Sequence, residues 1–589
     1  MMNRIFVVIM VGFIALSFAC TAPPVTETEG ASDTLRAIEE EVWQYTIDKS
    51  IPIRLKLGLP IEKLPEVTME EAQRDADFAD SMLEKLGSIT AEDLTHEEWI
   101  TLELLRWQAK GTKEFLKYYW LGFPVTPYTS PLGGVQQVFS KYQFKSKEDL
   151  DHYIVLAEKV PQMMSEIRAK LEGQAEKGIR LPVEEIGLVV PFLGAFKGDP
   201  PASLFYPAPE RLSELDESLV GAFQTRLEGV IKEQINPSVH QVVDLLSGEY
   251  KDKAPKAVGL QQYPQGEDFY RFLVKFYTTM DVSPEEVHQI GLDNIEKVSA
   301  KMKAIRDELG FEGTQREFLE KLRKDPRFYA KTPDEVGERL MSFVAKMEDK
   351  IPANFSRLPK ASYGVRRLDP SLEASLTFGY YQWPTVADPE GNYLYNGSKL
   401  DERPLINAQG LVYHELVPGH HFHIALQFEN EDLSEWRRQS LHGAFTEGWA
   451  EYAANLGIEL GLYDDPYYKY GRYLMEMMLS VRLVVDTGMN FYGWERTKAA
   501  ELMRANILES DTQIYTETLR YSVDMPGQAL GYRMGFLKIS ELREKAEKAL
   551  GDKFDIRRFH AAVLESGSMP MTVLEKHIDW YIYQEKQLD

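Results

Sequence analysis

The chain has a single cysteine, Cys20, among 589 residues. That excludes an intrachain disulfide and any thiolate metal site, and leaves acceptance of lipid as the one role open to this thiol. Basic residues are also scarce: 67 Lys and Arg face 92 Asp and Glu, a formal charge of −25. A field of that sign repels phosphate backbones and anionic head groups, so nucleic acid is excluded as a partner and a membrane is reached only through a lipid on Cys20. There is no fixed-period repeat, which excludes a solenoid, and no low-complexity block beyond a short tether. Apolar residues make up 44% of the chain, ample for a packed core in several domains or one large helical body.

The first residues read as an export signal. Arg4 supplies positive charge, Ile5 to Phe18 form an apolar stretch too short and too poorly flanked for a permanent span, and Ala19 precedes Cys20. Ser17 stands where a lipoprotein signal usually has Leu, so ordinary secretion is the competing reading. Thr21 to Asp33 have the small, polar, proline-containing composition of a flexible tether. The expected organisation is a signal peptide over 1–19, a lipid anchor and tether over 20–34, a helical N-terminal region over 35–350 and a metal-site region over 351–589. The last two are expected to pack as one two-lobed unit, outside the cytoplasm, as an envelope lipoprotein.

From residue 34 to 350 most windows carry helical periodicity. In Val282 to Val298, Ser283 is placed as an N-cap, Pro284 at the first helical position and Glu286 to close a capping box. Between Pro352 and Pro404, glycines and prolines punctuate aromatic runs such as Ser375 to Trp383, which predicts a small sheet. A strand just ahead of a metal-binding helix could hold an extended peptide by edge pairing, with a purely structural hairpin as the equal alternative. Long helices then return: one through His414, one through Glu447, one from Pro466 through Arg482 to Thr487, and two centred on Tyr521 to Leu542 and Asp555 to Tyr583. The fold class is mainly α.

Five of the 11 histidines, His414, His420, His421, His423 and His442, lie between positions 414 and 442. His414-Glu415 begins like an HExxH zinc helix, in which two histidines four apart share a face and the Glu points at the metal-bound water. Here the fourth position on is Pro418, which cannot ligate. Pro418 also lacks an N–H and biases Val417 out of the helical region. A kink at Pro418-Gly419 would swing His420 into the vacated place. His421 would share the face of His414 in a straight helix but lie ~10 Å along it. His420 is the leading choice for the second ligand, His421 its close rival, and His423 a packing or capping residue. By contrast, His96-Glu97-Glu98-Trp99 begins similarly but has no second histidine within reach, and reads as a solvated turn.

The third ligand is sought as an acid on a neighbouring helix, because a hydrolytic zinc takes three protein ligands and keeps one position for water. Glu447 and Glu451 lie four apart, with Ala450, Ala453 and Ala454 leaving room for close approach. Glu447 is assigned as the ligand and Glu451 as the acid that fixes a histidine tautomer; a solvated face is the competing reading. Glu415 is the candidate general base. Tyr521, then Tyr532, are candidate donors to a developing oxyanion, and Arg520 a candidate for a substrate carboxylate or, equally, for a structural pair with Glu517.

At residues 414–423 (HELVPGHHFH), 446–452 (TEGWAEY) and 519–535 (LRYSVDMPGQALGYRMG), the chain resembles a large bacterial family known as domain of unknown function 885. Members of that family resemble gluzincin metallopeptidases, and more distantly the carboxypeptidase Taq, oligopeptidase and angiotensin-converting enzyme group. The resemblance extends over most of residues 40–585, including Val563 to Pro570. It implies a mostly helical, zincin-like, two-lobed body around a deep cleft, and carries His414, Glu415, His420, His421, Glu447, Arg520 and Tyr521 by motif match. It leaves open which of His420 and His421 binds the single expected Zn2+. The leading functional expectation is a zinc metallopeptidase acting on short peptides. The alternatives are a non-catalytic envelope scaffold with a degenerate site, and a zinc hydrolase of another amide or ester.

Overall fold

Short polar side chains set the helix starts. Thr95, Ser146, Ser283 and Thr314 each accept a backbone N–H three residues on, while the acid at that position reaches back to the cap's own N–H. These boxes open helices at His96–Leu116, Lys147–Glu176, Pro284–Glu308 and Gln315–Arg323. The Ser283 box is the one its spacing predicts. His96, expected in a solvated turn, is instead the first residue of a long helix, its ring stacked on Trp580 at 3.9 Å and bonded to His577 at 2.8 Å. The computed structural model describes residues 30–370, 373, 379–385 and 388–588. The expected signal, Cys20 and the tether up to residue 29 lie outside them, as do Ser375 to Phe378 of the aromatic run. Ala31 to Thr34, read as the end of the tether, form the first turn of the Ala31–Lys49 helix, because Leu35 and Ile38 are buried immediately behind them.

The molecule is mainly helical with one small sheet. Two large apolar cores divide the helices. One gathers Leu132, Val160, Leu227 and Val239 with Tyr470, Val481 and Met489. The other joins Leu35, Met82 and Leu105 from the first long helices to Val412, Trp449 and Leu574 around the histidine cluster. The Pro466–Asn490 helix, buried along nearly its whole length, supplies Tyr470, Val481 and Met489 to the first core and Leu483 to a third, smaller one. Among the described residues no helix is long and apolar enough to cross a membrane.

The sheet has three strands in the order β1-β3-β2, with β1 Tyr363–Arg367, β2 Tyr380–Gln382 and β3 Gly391–Tyr395. β1 runs parallel to β3 and β2 antiparallel to it, with Tyr381 opposite Tyr393. Among the described residues β2 is therefore an edge strand.

Two of the expected carboxy-terminal helices are broken. Arg520–Asp524 is a π-helical turn, and the following helix starts only at Leu530 and runs to Leu550. Pro526 cannot donate into a helix and Gly527 sits at φ +84°, which together turn the chain. Asp555 to Tyr583 likewise divides into Ile556–Leu564 and Met571–Gln587, with Pro570 between them.

The Gly443–Glu459 and Leu530–Leu550 helices cross with no room for side chains between them. A Cβ on Gly448 would lie 2.5 Å from the Gly535 carbonyl carbon, and one on Gly535 would lie 1.9 Å from the Ala444 oxygen. The alanines expected to provide this approach are buried, yet the contact itself is made by glycine. It draws Tyr532 toward Glu447.

Candidate metal centre

The Ala408–Glu415 helix stops one residue after His414, and a second helix, His420–Glu429, starts five residues beyond Glu415. Pro418 supplies the break. Gly419 allows the return: a Cβ there would lie 1.9 Å from the His414 carbonyl oxygen, so the chain folds back onto the turn it has just left. The Val417–Pro418 peptide is cis. From the side, the Trp449 indole N–H donates to the Pro418 carbonyl at 3.0 Å and ties this turn to the Gly443–Glu459 helix.

This geometry brings His414, His420 and Glu447 together, with one donor atom from each within 4.8 Å of the others. Nε2 of His414 and Nε2 of His420 each lie 3.4 Å from Glu447 Oε2. The two imidazoles stand edge to face, with centroids 4.7 Å apart. Behind them, Glu451 Oε1 lies 2.8 Å from His414 Nδ1, which leaves Nε2 facing Glu447. Glu451 is held by the fully buried Arg472 at 2.8 Å. Farther back, Glu476 pairs with Arg533 at 2.8 Å, and Arg533 also donates to Asn294 of the Pro284–Glu308 helix.

The electrostatics follow from these pairs. Burial opposes a charged His414, but Glu447 and Glu451 outweigh it and raise the imidazole to about 10. Burial also opposes a charged Glu447, and His420 with His414 overcomes it, holding the carboxyl well below its usual range. Arg472 and His414 bring Glu451 down to about 2. Glu415 moves the other way: burial raises it, with His414 and His420 as the main opposing charges.

His421 is not in the group. Its Nδ1 meets the Tyr381 hydroxyl at 2.9 Å and its Nε2 the Ala361 carbonyl at 3.1 Å, and burial lowers it to about 4. Gly391 makes space for that contact, since a Cβ there would lie 2.3 Å from His421 Nδ1. His421 thus ties the ligand helix to the sheet. His423 packs against Phe445 and bonds Gln427 at 3.0 Å, and the same Gln427 oxygen accepts the Ser568 N–H at 2.9 Å. The Ser568 hydroxyl in turn accepts the His442 N–H at 2.8 Å, just ahead of the Glu447 helix.

His414, Glu415, His420, Glu447 and Glu451 line one cavity of about 640 Å³, together with Tyr380 and Tyr381 of β2. Arg520 and Tyr532 line its wall; Tyr521 does not. Tyr521, the first candidate for an oxyanion donor, is fully buried, accepting from Arg482 Nε at 2.6 Å and donating to Glu517. Arg520 pairs with Glu517 at 3.3 Å and Gln528 at 2.7 Å. Tyr532 is the tyrosine of this stretch that reaches the cavity, its hydroxyl raised to about 12 by burial and then by the charge of Glu447. Sequence reasoning missed the roles of Trp449, Arg472, Tyr381 and Arg482, whose partners lie far away in the chain. Only the paired small residues at Ala444, Gly448, Gly531 and Gly535, four apart on each helix, offered a readable signal.

The family described as bacterial protein of unknown function (DUF885) matches residues 53–578. A crystal structure of a candidate lipoprotein from Colwellia psychrerythraea is similar at a TM-score of 0.85 and 25% identity, over 94% of this chain and 100% of that one. A candidate lipoprotein of unknown function from Shewanella oneidensis shares the fold at a TM-score of 0.73 and 18% identity, over 93% and 99% of the two chains. No curated protein matches.

Proposed function

The chain belongs to the DUF885 family of bacterial proteins of unknown function, and from its site we propose that it is a zinc-dependent metallopeptidase of short peptides. The observation that carries the reading is the convergence of His414, His420 and Glu447 beside Glu415 in one cavity. Donor atoms around a tetrahedral zinc, each at about 2.0–2.1 Å from it, stand roughly 3.3–3.4 Å apart. The two histidine nitrogens stand 3.4 Å from Glu447 Oε2, which is buried and makes no hydrogen bond. The set of two imidazoles and one carboxylate suits zinc and leaves a position for water. The size of the cavity and the edge strand along it suit an extended peptide in a zincin-like cleft. The Arg4 to Cys20 signal and the likeness to the Colwellia protein support an envelope lipoprotein.

A zinc ion held there would supply a Lewis acid and acidify a bound water. The chain's own groups do the rest. Glu451 keeps His414 in the tautomer that presents Nε2. Glu415 takes a proton from the attacking water as its oxygen bonds to the carbonyl carbon, and gives that proton to the amine nitrogen as the C–N bond breaks. Burial, by raising Glu415, brings it closer to the strength such a shuttle needs. Tyr532, on the cavity wall, would donate to the developing oxyanion. The metal content of the full chain and the Glu415→Gln variant test the reading. About one zinc per chain is expected, with peptide hydrolysis in the variant down by roughly 10²–10⁴-fold and zinc retained. Metal-free wild-type protein from a chelator-free purification, or a variant as active as wild type, would overturn it.

A further inference from the structure

The Pro466–Asn490 helix lays Met475, Met478, Leu479 and Arg482 along the cavity wall. Counted from Met475 they fall at i, i+3, i+4 and i+7, a single helix face. An apolar stripe therefore ends on a guanidinium. Across from it, Glu517 accepts from Arg482 Nη2 at 3.1 Å and from Arg520 Nη1 at 3.3 Å.

Two guanidinium groups thus share one carboxylate. Glu509, also in this wall, does not redress the balance, because burial and the neighbouring Glu517 charge push it up to about 8, which leaves it largely protonated at neutral pH. Once the protein's own bonds are made, Arg520 Nε is buried without a partner, and Arg482 Nη1 has no hydrogen bond among the described residues. Both arginines line the cavity, and a planar carboxylate is the ligand whose geometry best answers a guanidinium edge. The site is also close to the metal centre. Tyr532 feels the charges of Glu447, Arg520 and Arg482, and its ring centre is 5.2 Å from the Arg482 guanidinium.

We infer that Arg482 and Arg520 form a subsite for the free terminal carboxylate of a peptide, and that the Met475, Met478 and Leu479 face beside them takes an apolar last side chain. Cleavage then removes residues from the carboxy end. The inference rests on the peptidase reading for its chemistry, but the subsite itself does not need a metal. Methionines make the apolar part adaptable, so that part selects for hydrophobicity over shape.

A pair of short peptides identical except for a free acid or an amide at the carboxy terminus, ending in Leu, tests it on the zinc-loaded full chain. The acid is expected to be cleaved with a kcat/KM on the order of 100-fold higher. Arg520→Gln should collapse that ratio chiefly through KM. Binding of the same two peptides to chelator-treated full chain, read by calorimetry, separates this inference from the peptidase reading. Tighter binding of the acid, lost in Arg520→Gln, sustains the subsite even if nothing is hydrolysed. Equal binding of acid and amide, or equal cleavage of both, overturns the subsite while leaving the peptidase reading intact.

Discussion

A methyl group on Gly419 would lie 1.9 Å from the carbonyl oxygen of His414, so the spacing between the first two histidines of the cluster depends on a residue with no side chain. Pro418 interrupts the helix and Gly419 lets it restart against itself. The outcome is that His420, six residues after His414, turns its Nε2 to the same Glu447 oxygen that His414 Nε2 faces. The break was legible in the sequence, because a proline in a helix has few local consequences. The choice between His420 and His421 was not. It depends on what each ring meets, and the partners of His421 are a hydroxyl and a carbonyl contributed 40 and 60 residues upstream. His420→Ala should lose bound zinc, whereas His421→Ala should retain it and be less stable for want of its tie to the sheet, as metal analysis beside thermal unfolding will show. The opposite metal result would reassign the ligand. Tyr521 illustrates the same limit: its position in the motif drew attention to it, but its neighbours Arg482 and Glu517 enclose it.

At the scale of elements, the ligand-bearing helices owe their placement to backbone contact more than to side-chain interdigitation. Gly448 follows Glu447 directly and faces Gly535 across the crossing. In Gly448→Ala the added carbon has only backbone to meet, so the helices must part, at a cost of about 1–3 kcal/mol. Because Glu447 is the neighbouring residue, metal affinity is expected to fall with stability. A variant that melts like wild type and binds zinc as tightly would show that the crossing relaxes freely. Most helices were readable from apolar periodicity and caps, as at Ser283. The breaks within the last two long segments were not, because one proline and one positive-φ glycine weigh little in a window of otherwise helical residues. The sheet was expected as a class of structure. The parallel pairing of β1 with β3, across the intervening β2, is a long-range property that local pattern does not encode.

For the molecule as a whole, the segment that carries Arg520 also brings the charge of Asp524 to bear on an acid of the first half of the chain, Glu185. Glu185 lies on the Val183–Gly194 helix and Asp524 at the end of the π-helical turn, and the carboxylate oxygens of both are buried. Burial raises both; at Glu185 the Asp524 charge adds to the rise and Arg496 opposes it, while at Asp524 the Thr126 side chain, the Tyr128 backbone and then the Arg520 charge oppose it. Carboxyls with folded-state pKa values above their unfolded ones hold protons that the unfolded chain has already released. Their contribution to stability is therefore complete below the ordinary carboxylate range and is lost as pH rises toward the raised values. Between about pH 5 and about pH 8 the wild-type melting temperature should fall more steeply than that of Asp524→Asn, in which one of the two carboxylates is gone. Parallel slopes would remove the pair from the account. The mainly helical class and the acidic charge could be read from composition, but no local pattern indicates that the charge of residue 524 reaches residue 185.

Behind the cluster, Glu451 pairs with Arg472 and Glu476 with Arg533. Each of these acids already has a basic partner, and Trp449 fastens the turn between the histidines from the other side. If the proposed ion binds, it enters a frame already braced on two sides. Its affinity would then express how well the seat was prepared, with little of it diverted to ordering the chain around it.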